Sequence, residues 1–465
     1  MRSKFILAGI SVLLALALVL PLYRPAPVHA LSRQAVPSTA ARCSNLAPRE
    51  VDFPYYSLKD GFESTLMLVS DSPKPVDLTI AIRGLRGKML LTGTTIQPQA
   101  KLAIDLASTI TKLGGDPESL FAEGSVSVYF MGTIMPVVGQ MTVTNPVLGL
   151  THQVDMVEND PGRSDIPPVL NGVWWGFGGG DDATVAVSNT SDKSIFADVY
   201  LDFQDARHAL NTPLLFAPGE TKVLDVAKLL ASIGANPAGV PEGGITIVQR
   251  GPNPALIASG KITDPASGFS STMDFPDPEL QHLSALHATG LPIGTPTADS
   301  PYAGAGTFVP HVVVRNLSSA TQTVTLTVEY PQPAFSGGAR PSMTDALGPM
   351  AADGKPSSPV ERVIWSSLPV PGYTTEDYSL AAVMSQLPLP LPFCSIRVQY
   401  SGQAGSMIAE ISSVDPYTDF VVDARPQNEG NRWAGSGGNP WHLDKVNYAM
   451  YAPPAAFKIE TNCTP

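Results

Sequence analysis

Tryptophan, cysteine and histidine are the residues of this chain best suited to binding or reactive chemistry, and their spacing decides how much of it they can perform. Trp174 and Trp175 are adjacent, while Trp433 and Trp441 stand in the Gly-rich stretch NRWAGSGGNPWHLD. An exposed indole can stack on a sugar ring; a buried one fills the seam between packed elements. Both roles fit these four residues. Seam filling is the simpler, and sugar stacking would make Trp174, Trp175, Trp433 and Trp441 the ligand aromatics. Cys43, Cys394 and Cys463 permit one bridge and one leftover thiol in an oxidising compartment. Of the three pairings, Cys394–Cys463 is preferred, because the first opens a core strand and the second closes the terminal segment FKIETNC; Cys43–Cys463 comes next. No CxxC occurs, so redox catalysis and a zinc knuckle have no support.

Outside the leader the histidines are His152, His208, His282, His287, His311 and His442. None belongs to an HExxH motif. His282 and His287 are five residues apart, which does not put them on one helical face. The run GFGGGDD at 176–182 has the look of a phosphate or calcium loop. A phosphate cradle needs a helix to follow and here a strand does; calcium needs more oxygen ligands than Asp181 and Asp182 supply. A Gly-rich turn between domains accounts for it. There is no GxSxG, Ser-x-x-Lys or GxxxxGK[ST], and no pair of carboxylates stands out for glycoside hydrolysis. The expectation is a chain with no catalytic residue, no cofactor and no metal.

The elements that position these residues can be read from composition and repetition. The 465 residues include 40 Gly and 45 Pro, and only 15% are charged, where about 25% is usual. Apolar residues, at 43%, suffice for cores, and there is neither a collagen period nor a charged heptad. A net charge of −12 argues against nucleic acid. Arg2 and Lys4 precede an uncharged run from Phe5 to Leu20, followed by Pro21 and the small-x-small site Val28-His29-Ala30. That is the layout of a secretory signal peptide cleaved near Ala30. The run is short for a bilayer span, and no later stretch is long and apolar enough. Cleavage removes Arg2, Lys4 and Arg24 and no acid, which moves the charge from −12 to −15. The expected address is extracellular or periplasmic.

Three internal copies are visible. A step of 119 residues carries Asn145-Pro146 onto Asp264-Pro265, Val126 and Val128 onto Ile245 and Ile247, and Ser70-Asp71-Ser72 onto Asn189-Thr190-Ser191. In the third copy Asn316-Leu317-Ser318 lies 127 past Asn189, but Ile396, Val398 and Asp415-Pro416 lie 151 past their counterparts. The difference is an insertion within 331–375, rich in Pro, Gly and Ser and expected to be a long loop. Around each Ser/Asn-x-Ser mark apolar residues alternate: Val185 and Val187 before it, Ala197, Val199 and Leu201 after it, for example. Period two predicts strands of antiparallel sheets. The mark itself predicts a polar hairpin turn, which also explains the sequons at Asn189 and Asn316. Asp105 and Asp225 each stand nine residues before a Gly and predict a short capped helix; Asp377 is expected to cap a third, ended by Pro388.

About seven short strands and one helix per copy predict an all-β chain of three tandem β-sandwiches. Stretches such as TVAVSNTS, FADVYLDF and APGETKVLDV resemble the immunoglobulin-like sandwich repeats of bacterial extracellular proteins. The short helix and the lack of a Cys…Trp…Cys core depart from that family, which contributes no catalytic residues. The resemblance implies spacing, adhesion or support of a neighbouring domain. The expected organisation is a signal peptide at 1–30, a linker at 31–50, sandwiches at 51–166, 167–295 and 296–427, and a Gly-rich tail with a terminal strand at 428–465. The expected function is that of a secreted, non-catalytic modular protein facing cell-surface or matrix components, polysaccharide or protein, with no nucleic acid and no membrane span. The alternative is a carbohydrate-binding accessory or hydrolase with its site in the insertion and tail.

Overall fold

The computed structural model describes residues 47–428, apart from 133–136, 161–162, 165, 177–181, 252, 282, 297–305, 331–359, 388–390, 419 and 425. The chain runs through β1 (Ala47–Ser57), β2 (Glu63–Ser70), β3 (Val76–Gly84), β4 (Met89–Ile96), β5 (Lys101–Asp105), helix α1 (Leu106–Lys112), β6 (Glu123–Gly132), β7 (Val137–Asn145), β8 (Leu150–Asp155), β9 (Val157–Asp160) and β10 (Arg163–Ser164). It continues with β11 (Val169–Trp174), β12 (Asp182–Asn189), β13 (Ile195–Phe203), β14 (Ala206–Ala209), β15 (Leu214–Phe216), β16 (Thr221–Asp225), helix α2 (Val226–Ser232), β17 (Gly243–Arg250), β18 (Leu256–Asp264) and β19 (Phe269–Met273). Then follow β20 (Ala285–Ile293), β21 (Val309–Asn316), β22 (Gln322–Tyr330), β23 (Val360–Val370), β24 (Thr375–Ser379), a 3-10 helix (Leu380–Gln386), β25 (Leu391–Tyr400), β26 (Met407–Asp415), β27 (Phe420–Ala424) and β28 (Gln427–Asn428).

These strands make six antiparallel sheets. The wide sheet β10-β9-β1-β6-β3-β4 faces β5-β2-β7-β8; β11-β17-β13-β14, with β15 also on β13, faces β16-β12-β18-β19; β23-β22-β25-β20-β28 faces β24-β21-β26-β27. The apolar alternation explains the pairing. Val51, Ile80 and Val126 of the first wide sheet share a core with Leu66, Met141 and Val154 opposite. Leu170, Val199 and Ile245 likewise meet Val185, Ile262 and Phe269, and Leu286, Val324 and Ile396 meet Val312 and Ile411. Each such aliphatic side chain removed from water contributes about 1.5–3 kcal/mol. No described helix is long and apolar enough to cross a membrane.

The short helices follow their caps. Asp105 Oδ1 accepts the Ser108 amide at 2.7 Å and Asp225 Oδ1 accepts the Lys228 amide at 2.9 Å. Gly114 and Gly234 stop the helices in the left-handed conformation, at φ 76° and 84°. The third helix corrects the expectation. Its cap is Ser379, whose side chain accepts the Ala381 amide, and Asp377 sits inside β24 with its carboxylate 2.9 Å from His311. A carboxylate engaged across the sheet has no freedom to cap.

Three further expectations change. The Ser/Asn-x-Ser mark is not a hairpin turn, because β2 and β3, β12 and β13, and β21 and β22 lie in opposite sheets. The mark carries the chain across the core. Asn189, fully buried, donates to the carbonyls of Lys193 and Ala217 at 2.7 and 2.9 Å and accepts the Ser191 amide; Asn316 does the same with Ala320, Val370 and Ser318. The buried amide replaces the backbone bonds that a hairpin would have made. Within the expected loop at 331–375, Val360–Val370 is a strand paired along β22. Finally, β20 falls before the expected boundary at 295 but pairs with β25 and contributes Leu286, Ala288 and Leu291 to the third core, while β1 already begins at Ala47.

Candidate functional site

The outer, non-core face of each wide sheet carries three polar residues at equivalent positions, two directly opposite each other and the third two residues along on the next strand. In the first, Asp52 of β1 stands opposite Ser127 of β6, with Arg83 on β3. In the second these are Asn171, Thr246 and Asp202; in the third, His287, Arg397 and Glu329. Period two assigns such residues to a wet face, yet Asp52 is 1% exposed, Asp202 0% and His287 4%. Burial of this kind requires pairing: Asp52 and His287 find charged partners within their own sheets, and Asp202 is also paired by Arg315 from the next sheet pair.

At the first seam Ser127 donates to Asp52 and accepts from Arg83, whose other nitrogen donates to Tyr129 at 2.8 Å. Asn159 bridges Asp52 and Thr190, and Ser188 of β12 donates to the Pro54 carbonyl of β1 at 2.6 Å. Burial raises the Asp52 carboxyl above its ordinary range against the pull of Arg83. At the second seam Arg315 of β21, wholly buried, enters the preceding sheet. Its guanidinium donates to Asp202 at 2.6 Å, Thr246 at 2.6 Å, and the Gly172 and Ile245 carbonyls at 2.7 and 2.8 Å. Arg207 closes the other side of Asp202 at 2.9 and 2.7 Å and stacks its guanidinium 4.4 Å from the Tyr373 ring centre. Gly244 makes this insertion feasible: a Cβ there would collide with the Arg315 guanidinium, and one on Gly243 would collide with the Trp174 ring. The seam also holds Glu242 near Glu376 and Asp377. Burial, then those two charges, push the Glu242 carboxyl up to about 7.

Trp174 and Trp175 are 3% and 1% exposed, so neither ring offers a face to a ligand in this structure. Trp175 lies edge-on to Phe269 at 5.6 Å and stacks on His311 of β21 at 5.5 Å, placing it in the second seam. Trp433, Trp441, His282, His442, Asp181, Cys43 and Cys463 lie outside the described residues. Cys394 is a buried free cysteine whose thiol burial pushes up to about 12, far from a reactive thiolate. Among the described residues no group of three or more His, Cys, Asp or Glu side chains is placed to hold a metal.

A small cavity at the first seam is lined by Tyr55, His152, Thr184, Ser259 and Lys261. His152 stacks on Tyr55 at 6.0 Å, and neither of its ring nitrogens has a hydrogen-bond partner among the described residues. Burial, with the Lys261 charge adding, lowers its imidazole to about 3, so the neutral form is favoured near pH 7.

Sequence reasoning missed Asp202, Arg207 and Arg315. The first and last are 113 residues apart and sit in rows that look solvent-facing. The one local signal is Gly243-Gly244 at the head of a strand, where a side chain would normally strengthen the sheet. No family model, curated protein or solved structure matches this chain.

Proposed function

We propose that this protein is a secreted, non-catalytic array of three tandem immunoglobulin-like β-sandwiches that spaces or displays a binding surface facing cell-surface or matrix components. The observation that carries the reading is Arg315, fully buried and making four hydrogen bonds into the preceding sheet pair. A seam built this way holds neighbouring units at one angle, which a spacer requires and a flexible string of modules does not. Supporting it, the wide sheets share the orders β1-β6-β3-β4, β11-β17-β13-β14 and β20-β25-β22-β23, and the facing sheets share β5-β2-β7-β8, β16-β12-β18-β19 and β24-β21-β26-β27. The secretory leader at 1–30 and the acidic, charge-poor composition fit an exported scaffold.

The test is a panel of chromogenic esters and glycosides together with immobilised polysaccharides and matrix proteins, applied to the mature protein. The expected result is binding without turnover. Turnover that follows the protein through purification and disappears with it would overturn the reading.

A further inference from the structure

β4 ends the first wide sheet, and among the described residues no strand pairs with its outer edge. It pairs with β3 along its whole length, from Met89 to Ile96, with no shift of register. Its sequence, MLLTGTTI, contains no charge and no proline. An open edge is a template for another strand, and chains ordinarily blunt such edges with charge, proline, bulges or short length. The other two wide sheets are blunted in this way. β14, which ends the second, has four residues and includes Arg207 and His208, and β15 pairs only with residues 195–197 of β13. β23, which ends the third, contains Glu361, Arg362 and Pro369 and has two shifts of register against β22. β4 has none of these devices.

The two faces of β4 define what fits beside it. Met89 and Leu91, opposite Arg83 and Ala81, lie on the outer face and are 39% and 43% exposed. Leu90 lies on the other face, where with Leu102 and Ile104 of β5 it is only half-buried at the rim of the first core. An occupant therefore needs apolar residues on both faces, whereas an ordinary half-wet strand has them on one. It must also bring no charge to a row that has none. β4 itself meets both conditions, with Met89 and Leu91 on one face and Leu90 and Ile96 on the other. A two-fold axis through Thr92, perpendicular to the sheet, lays two β4 strands antiparallel and keeps each face continuous. Leu91 then falls opposite Gly93 of the second copy, where there is no Cβ, and diagonal to that copy's Leu91. The net charge of −12 sets two copies against each other, and β4 contributes no charge to that repulsion.

We propose that β4 is a self-association edge, pairing antiparallel with β4 of a second copy about Thr92 so that the first wide sheet runs through both. One strand pair and a few apolar side chains make a small interface, so the association is weak. Sedimentation equilibrium of the full chain should show an average mass rising towards twice the monomer's between about 1 and 500 µM. Leu91→Lys brings two ammonium groups together across the axis and should weaken association at least about 10-fold. Leu215→Lys, at a similarly exposed leucine on β15, should leave it unchanged. With oxidised glutathione as the oxidant, Thr92→Cys should give a dimer linked 92 to 92, because these two residues face each other at the axis. Thr79→Cys, one strand further in on β3, should give none. A chain that stays monomeric at about 500 µM overturns the proposal, whatever else then covers β4. So does a dimer that is indifferent to Leu91→Lys, or one in which Thr92→Cys forms no linked product.

Discussion

His152 and Glu242 carry opposite pH signatures, and each belongs to one seam. The His152 imidazole is lowered to about 3, from an ordinary value of 6.5. The fold therefore favours its neutral form: the associated stability is fully present above about pH 6.5 and is lost as the pH falls towards 3, by about 1.4 kcal/mol per pH unit. The Glu242 carboxyl is raised to about 7, from 4.5. Its contribution is fully present below about pH 4.5 and is lost as the pH rises through about 7. His152→Phe, which keeps a ring over Tyr55, should flatten the acid decline in urea-unfolding stability between pH 6.5 and 4. Glu242→Gln should raise stability at pH 8 and change little at pH 4.5. A His152→Phe protein with the same slope as the parent would show that the imidazole is not the buried group that resists charging.

At the scale of elements, strands and the first two helices were legible in the sequence because local chemistry determines them. Alternating Val, Ile and Leu set the core faces, and Asp105 and Asp225 set the caps. Asp225→Ala should cost about 1 kcal/mol in chemical denaturation, while Asp377→Ala should act through His311 and the second seam instead. An Asp225→Ala protein as stable as the parent would contradict the capping account. What was not legible depends on partners distant in the chain. The crossing between sheets at Asn189 and Asn316 looks like a hairpin until the opposite sheet is known. Val360–Val370 reads as loop because its partner β22 lies beyond a Pro/Gly-rich stretch. Arg315, Asp202 and Arg83 read as solvated because period two separates core from not-core and says nothing of a neighbouring unit pressed on the outer face.

For the whole molecule, the seams decide whether the three sheet pairs act as one body. Removing one partner of a buried ion pair typically costs about 3–5 kcal/mol, because the other charge stays buried; here Arg207 still holds Asp202, which favours the lower end of that range. Gly244→Ala attacks the same contact without touching a charge, since the added Cβ occupies the space of the guanidinium. The central claim, a proposed spacer made rigid by buried seams, is tested most directly by calorimetry of the protein beside Arg315→Ala. The parent should unfold its second and third sheet pairs in one cooperative transition, and Arg315→Ala should split that transition in two, with the third sheet pair melting apart from the second. Separate transitions already in the parent, or an Arg315→Ala profile that overlays it, would contradict the claim.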